Sequence, residues 1–278
     1  MSSIRAALRE AATSLDAVSI TARFDSEWLM AHALGVSRSE LLLRHLDDAV
    51  PGGFPRLLAR RLTQEPMAYI LGDQEFYGLP FMVGPQVLIP RQDSEVLVEQ
   101  ALACRPDARR VLDCGTGSGA LLLAVLHHLP AASGVGIDRS QPALAVAEKN
   151  ARALDLADRA NFAMADWEEP GWADALGGPF DLVLANPPYV EDHAQLEPSV
   201  RNFEPAEALF AGADGLNAYR VLMPQISALL APGGHALIEI GATQAPAVEH
   251  LGRQAGFAVN THQDSANRPR VIHLSSEN

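Results

Sequence analysis

The sequence predicts an α/β fold: a mostly parallel sheet with helices on both faces, preceded by a small helical bundle. Beyond residue 108, short apolar runs alternate with helical stretches, the order that builds parallel strands with covering crossovers. Before residue 73 the apolar spacing is helical. Between these parts, Phe76, Phe81, Val83, Val87 and Ile89 stand among Gly78, Gly84 and two prolines, which suggests short strands in a hairpin. The expected organisation is a helical unit over 1–72, a β-hairpin linker over 73–92 and an α/β domain over 93–278.

In chain order, Ile4, Ala7, Leu8 and Ala11 mark a first helix, and Phe24, Trp28 and Ala31 a second. Ser37 and Glu40 have the spacing of a capping box, which starts a helix just before Leu41. Pro51-Gly52-Gly53 breaks the chain, and the stretch from Pro55 to Leu62 suits one more helix. A helix from Asp93 to Ala103 leads into the sheet. Strands are expected from Arg110 to Cys114, Gly134 to Asp138, Phe162 to Met164, Phe180 to Ala185 and His235 to Ile240. The helices between them are expected from Ala120 to Leu129, Pro142 to Leu154 and Ala218 to Leu230. Met67, Met82 and the Leu121-Leu122-Leu123 run are expected in the core.

Composition narrows the function classes. Hydrophobic residues make up 48% of the 278 and charged residues 20%, a globular rather than a disordered composition. Asp and Glu outnumber Lys and Arg by 34 to 21, so a basic face for phosphates, and with it direct nucleic-acid binding, is not expected. No apolar run approaches the roughly 20 residues of a membrane helix, and the first ten residues lack the apolar core of a secretion signal. Two cysteines, Cys104 and Cys114, suit reduced thiols in a cytoplasmic protein, and a monomer is expected. His127 and His128 are adjacent on an expected helix and face different directions. With no C-x-x-C or H-x-x-x-H pairing in the chain, no metal centre is expected.

The chemistry concentrates after the expected strands. Asp113-Cys114-Gly115-Thr116-Gly117-Ser118-Gly119 follows a strand and opens a helix, where glycines let the backbone approach a ligand and a helix N-terminus offers N–H groups. Its G-x-G-x-G spacing departs from the dinucleotide fingerprint, and Asp113 suits the ammonium of a ligand with an amino-acid end. Asp138 ends the next strand, where a carboxylate can accept both ribose hydroxyls. Asp166 and Trp167 follow the third strand, placed for an adenine amino group and an adenine face.

The sharpest signal is Asn186-Pro187-Pro188-Tyr189 after the strand Asp181-Leu182-Val183-Leu184-Ala185. Two prolines fix the backbone and donate no hydrogen bond, so the corner is rigid and presents acceptors. Such a corner suits a substrate NH2 group conjugated to a carbonyl or ring, whose nitrogen lone pair is delocalised. If the Asn186 side-chain oxygen and the Pro187 carbonyl each accept one N–H, the lone pair turns toward an incoming methyl and no strong base is required. Tyr189 would stack on the planar amide or close the pocket. The acidic stretch from Glu191 to Glu207 reads as a solvated loop placed to act as a substrate-facing lid.

With these motifs the chain resembles the bacterial peptide chain release factor N(5)-glutamine methyltransferases, a branch of the class I methyltransferases with their Rossmann-like fold. The likeness covers nearly the whole chain. It includes Glu65-Pro66, Tyr69-Ile70-Leu71-Gly72, Phe76-Tyr77-Gly78-Leu79 and Val87-Leu88-Ile89-Pro90-Arg91. After the tetrad it includes Phe203-Glu204-Pro205, Ala208-Leu209, Asp214-Gly215-Leu216, Tyr219-Arg220, Asp264 and Arg270-Val271. The resemblance implies that Gly115 to Gly119, Asp138, Trp167 and Asn186 contact S-adenosylmethionine, which leaves as S-adenosylhomocysteine. It implies that Asn186 to Tyr189 hold the glutamine of the Gly-Gly-Gln motif of class 1 release factors, and that the helical N-terminal domain docks the factor's body. Departures are Gln92 where the family usually has proline, Asp93-Ser94 where it has Glu-Thr, and Cys114 where leucine is common.

Other readings share the tetrad. An adenine-N6 methyltransferase would grip a flipped base with it, but the acidic balance and the lack of a basic target-recognition segment argue against that. A ribosomal-protein glutamine methyltransferase differs only in its acceptor, and the Val87 to Arg91 wording followed by an acidic pair favours release factors. A donor-binding regulator without catalysis has no need of an intact tetrad.

Overall fold

The computed structural model describes residues 3–276. The chain forms two compact units, one of residues up to Asp73 with Leu196–Phe203, the other of Gln74–Gln195 with the chain from Glu204 onward.

The first unit holds α1 (Ile4–Leu15), α2 (Ala22–Leu34), α3 (Arg38–Arg44), α4 (Phe54–Leu62) and α5 (Met67–Leu71). α1 buries Ile4, Leu8, Ala11 and Leu15, the stripe that its spacing predicts. α2 differs from expectation. Phe24 and Trp28 are 48% and 39% exposed, and the buried face carries Leu29, Met30 and Ala31 together with Asp25 and Glu27. Those carboxylates tolerate burial because they are paired: Arg61 Nε donates to Asp25 at 2.7 Å, and Arg23 and Arg38 both bond Glu27. A polar inner face gives no apolar period to read. α3 starts as its capping signature implies, the Glu40 N–H donating to Ser37 Oγ at 3.1 Å. α5 is a single short turn that ends at Gly72, whose φ of +88° is left-handed. Met67 is half-buried against the apolar cluster of this unit.

The second unit opens with a hairpin, β1 (Asp73–Phe76) and β2 (Leu79–Met82). Phe76 and Phe81 are buried and meet edge to face, 6.1 Å between centroids. Met82 is 40% exposed, so the expectation of a core methionine fails: its backbone, not its side chain, is what the fold holds. A 3-10 turn over Gln92–Ser94 precedes α6 (Glu95–Cys104). Then come β3 (Arg110–Cys114), α7 (Ala120–His128), β4 (Ser133–Asp138), α8 (Gln141–Ala153), β5 (Ala160–Met164) and β6 (Phe180–Ala185). α9 (Pro198–Arg201) clusters with the first unit. α10 (Asn217–Leu222), α11 (Ile226–Leu229), β7 (Leu230–Glu239), α12 (Ala245–Gln254), β8 (Phe257–Gln263) and β9 (Pro269–Ser276) complete the chain.

The helix expected from Ala218 to Leu230 is broken into α10, a 3-10 turn and α11 around Pro224. A proline there lacks the N–H that the helix needs and crowds the carbonyl four residues earlier. The seven-stranded sheet runs β5-β4-β3-β6-β7-β9-β8. β3 to β7 pair in parallel, and only β9 opposes its neighbours. This is the mostly parallel sheet with flanking helices of a class I methyltransferase, with a helical N-terminal domain. The Leu121-Leu122-Leu123 run is buried in one of the two clusters that cover the sheet.

One polar side chain fastens three parts of this unit. Asn150 on α8 is fully buried and accepts the Met82 N–H at 2.7 Å, while its amide donates to Met82 O at 3.0 Å and to Ser118 O at 2.8 Å. The end of the hairpin and the start of α7 are thereby fixed to one helix. Asn150→Ala leaves buried backbone groups without partners and should destabilise the protein by about 2 to 3 kcal/mol, read as a lower urea midpoint with an unchanged slope.

Candidate active site

The sheet order reverses between β3 and β6, and at that switch point the carboxyl ends of parallel strands leave a crevice. A cavity of about 270 Å³ lies there. Of the residues singled out in the sequence, Gly115, Thr116, Gly117, Ser118, Asp138, Asp166, Trp167, Asn186 and Pro188 line it. Asp113, Gly119, Pro187 and Tyr189 do not form its wall. The Leu121 side chain, expected only in the core, also lines it.

The glycine loop is pinned from below. The Gly115 and Thr116 N–H groups both donate to Ile137 O, at 2.9 and 2.8 Å. Gly115 has a φ of +76°, and a Cβ there would stand 3.2 Å from the Trp167 ring. Only glycine lets the backbone pass that indole. Gly119 plays a different part from the ligand contact expected of it. Its φ is +82°, and a Cβ would meet Ala147 Cβ at 3.3 Å, so it admits close packing of α7 on α8.

Asp113 sits behind the loop, fully buried. Its Oδ2 accepts the Thr116 hydroxyl at 2.6 Å, while its Oδ1 has no hydrogen-bond partner among the described residues. Burial pushes its pKa up to about 7, against the pull of the Thr116 bond. An ammonium drawn toward this carboxyl would satisfy the orphan oxygen. Asp138 does lie on the wall. Gly117 N–H donates to its Oδ2 and Ser140 N–H to its Oδ1, both at 2.9 Å, and each oxygen keeps a second lone pair for a ligand hydroxyl. Burial raises its pKa as well. Ser140 Oγ accepts the Ala143 N–H at 3.3 Å, so the helix is capped without calling on Asp138. Asp166 Oδ1 accepts the Glu168 N–H at 3.0 Å, and Trp167 O accepts from Gln225 Nε2 at 3.0 Å.

The proline corner is braced from the opposite side of the strand. Pro187 is buried, and Asn186 and Pro188 face the cavity. Tyr189, expected to stack on the amide or close the pocket, is half-buried: its hydroxyl donates to Glu239 Oε1 at 3.3 Å, and its side chain packs against the apolar cluster there. Burial raises the pKa of both Tyr189 and Glu239. Gln244 Nε2 donates to Tyr189 O at 3.0 Å and to Gly215 O at 3.2 Å, while Gly241 N–H donates to its Oε1 at 3.0 Å. One side chain joins the tetrad, the Asp214-Gly215-Leu216 motif and the end of β7.

Glu204 was legible only as part of a motif. Its side chain is 1% exposed, accepts the Ile89 N–H at 3.1 Å and pairs with Arg91, which clamps the Val87-Leu88-Ile89-Pro90-Arg91 segment. The acidic stretch around it is therefore not a uniformly solvated loop. Asp93 bonds both Arg268, at 2.9 Å, and Arg270, at 3.1 Å, so a shorter acid still reaches its partners. The sequence separations, 113 residues or more, explain why no local spacing reveals these bonds.

The Asp113 carboxyl makes stability pH-dependent. Its folded pKa, about 7, lies above its ordinary 3.8, so the folded chain keeps a proton that the unfolded chain releases. Stability should fall as pH rises from about 4 to about 7 and level off above that. Asp113→Asn should flatten this slope in denaturation curves taken across the window.

Residues 6–72 match the model of the PrmC N-terminal domain, and residues 106–270 match that of a methyltransferase domain. The release factor glutamine methyltransferase of Rhodospirillum rubrum is 46% identical over 237 residues, 82% of this chain and 71% of that protein. That of Moorella thermoacetica is 41% identical over 281 residues, 97% of each chain. Among solved structures, a methyltransferase from Pyrococcus furiosus shares the fold with a TM-score of 0.50 at 13% identity, covering 73% of this chain and 91% of that one. By descent as well as by fold, this chain belongs to the family of release factor glutamine methyltransferases.

Proposed function

We propose that the protein transfers a methyl group from S-adenosylmethionine to the side-chain amide nitrogen of a glutamine, the one in the Gly-Gly-Gln motif of class 1 release factors. The observation that carries this reading is the Asn186-Pro187-Pro188-Tyr189 corner, set at the carboxyl end of β6 on the same cavity as the glycine loop and Asp138.

The residues present fit the donor. Asp138 keeps lone pairs for ribose hydroxyls, Trp167 and Asp166 suit an adenine, and the buried, unpartnered Asp113 Oδ1 behind the glycine loop suits an ammonium. Bound there, the donor supplies an electrophilic methyl on a sulfonium. The chain's own part is to hold the acceptor. Asn186 Oδ1 and the Pro187 carbonyl take the two N–H groups of the amide, turning its nitrogen lone pair out of conjugation with the carbonyl. Both acceptors sit on a backbone fixed by two prolines and braced by Gln244 and Glu239, so little reorganisation accompanies the reaction. Methylation makes the nitrogen acidic, and its surplus proton passes to water without a general base.

The helical unit is the release-factor docking domain in this reading. Supporting it, Ile20, Phe24 and Trp28 expose apolar surface there, which a partner protein would cover. No helix among the described residues is long and apolar enough to cross a membrane, as suits a cytoplasmic acceptor.

Incubation with labelled donor and a class 1 release factor should label the factor, and changing its Gly-Gly-Gln glutamine to alanine should abolish the label. Label on naked DNA and none on the factor would overturn the reading. Asn186→Ala should lower kcat by roughly 10² or more, the scale of a lost preorganised hydrogen bond. Replacing Phe24 and Trp28 together by alanine should raise KM for the intact factor several-fold, while kcat and donor affinity stay near their original values.

A further inference from the structure

Outside the lining of the cavity, the sheet gathers a group of side chains that the proposed reaction does not use. Cys104 is the last residue of α6, and α6 packs against β7 and β9. His235 lies on β7 and His273 on β9, whose partner across β7 is Leu237, two residues along from His235. The two imidazoles therefore share a face of the sheet. Cys104 Sγ and one nitrogen of each ring all lie within 4.8 Å of one another, and all three residues are half-buried. A fourth group stands behind them: His262 on β8, on the same face, with its Nε2 3.4 Å from His273 Nδ1.

We propose that Cys104, His235 and His273 form a zinc(II) site, with water as the fourth ligand and His262 as the residue that orients His273. One thiolate and two imidazoles are a borderline-soft donor set that suits zinc far better than calcium or magnesium. Tetrahedral bonds of about 2.0 to 2.3 Å place donor atoms roughly 3.3 to 3.6 Å apart, which small side-chain rotations reach from the present spacing. Without metal, His235 Nδ1 and His273 Nε2 share a hydrogen bond of 2.7 Å. His273 can hold its proton on Nδ1, facing His262 Nε2, which leaves its Nε2 lone pair outward. That is the tautomer a ligand needs, fixed by a neighbour in the usual manner.

The balance is simple. Binding breaks the His235–His273 hydrogen bond, moves the His235 proton to Nε2 and releases the Cys104 thiol proton to solvent. Arg105, whose charge acts on His235, is already paired with Asp107 at 3.3 Å and Asp181 at 3.7 Å. An ion here would fasten the end of α6 to β7 and β9. Three ligands from three separate elements leave no spacing to find in the sequence, which is why no metal centre was expected there.

The test uses the full-length protein after chelator treatment and dialysis. Zinc titrated by calorimetry should bind once per chain with proton release and raise the melting temperature. Cobalt(II) should give a near-ultraviolet thiolate-to-cobalt charge-transfer band. Cys104→Ser should abolish the band, and Cys104→Ser and His273→Ala should each weaken zinc binding by roughly tenfold or more, with circular dichroism verifying that both variants fold. His262→Ala should weaken it as well, on the scale of a lost orienting partner. No zinc binding at micromolar concentration, or binding that Cys104→Ser leaves unchanged, would overturn the site.

Discussion

A carboxamide nitrogen shares its lone pair with the adjacent carbonyl, and any enzyme that alkylates it must break that sharing by geometry. In the proposed reaction that constraint falls on four residues at the end of β6. Two prolines remove the soft dihedrals and the donors, and what remains is a rigid corner whose Asn186 and Pro188 line the cavity. A mobile loop could not do this, because the acceptors must already be in place as the nitrogen changes shape. The rest of the domain is arranged around that stiffness. Gln244 holds the corner's last carbonyl, Glu239 its tyrosine hydroxyl, and the parallel partners β3 and β7 fix the strand on both sides.

The half of the cavity that would take the donor in the proposed reaction follows a different logic. There the backbone must come close, and space rather than rigidity is limiting. Gly115 passes under Trp167, and Gly119 lets α7 rest on α8. Asn150 joins this half to the hairpin through Ser118 and Met82, so the loop is positioned by a buried side chain and not by its own conformation alone. Asp113 is costly in isolation, a buried carboxyl with one oxygen unsatisfied and a pKa raised by burial.

Much of this was legible in the sequence, for physical reasons that differ by element. β3 and β6 are buried on both faces, so they read as continuous apolar runs with sharp ends. The motifs after them sit at strand ends, where spacing to the strand is fixed. α2 forms where its spacing predicts a helix, but its inner face holds two paired carboxylates, and Phe24 and Trp28 lie largely outside it. The apolar spacing after residue 217 is helical throughout, but Pro224 breaks the run into two short helices and a 3-10 turn. β8, β9 and α12 went unassigned. The braces Gln244 and Glu239 carry no local signal, and Glu204 shows only as part of a motif, because each is an ordinary polar residue whose meaning lies in a partner far along the chain.

The most direct test of the corner is a crystal structure of the protein with S-adenosylhomocysteine and a glutamine-containing Gly-Gly-Gln peptide. The account predicts the glutamine amide in the cavity, its two N–H groups on Asn186 Oδ1 and Pro187 O at about 3 Å, and its nitrogen facing the donor's sulfur. A peptide amide bound elsewhere, or a corner turned from the sulfur and filled by the chain's own packing, would contradict it.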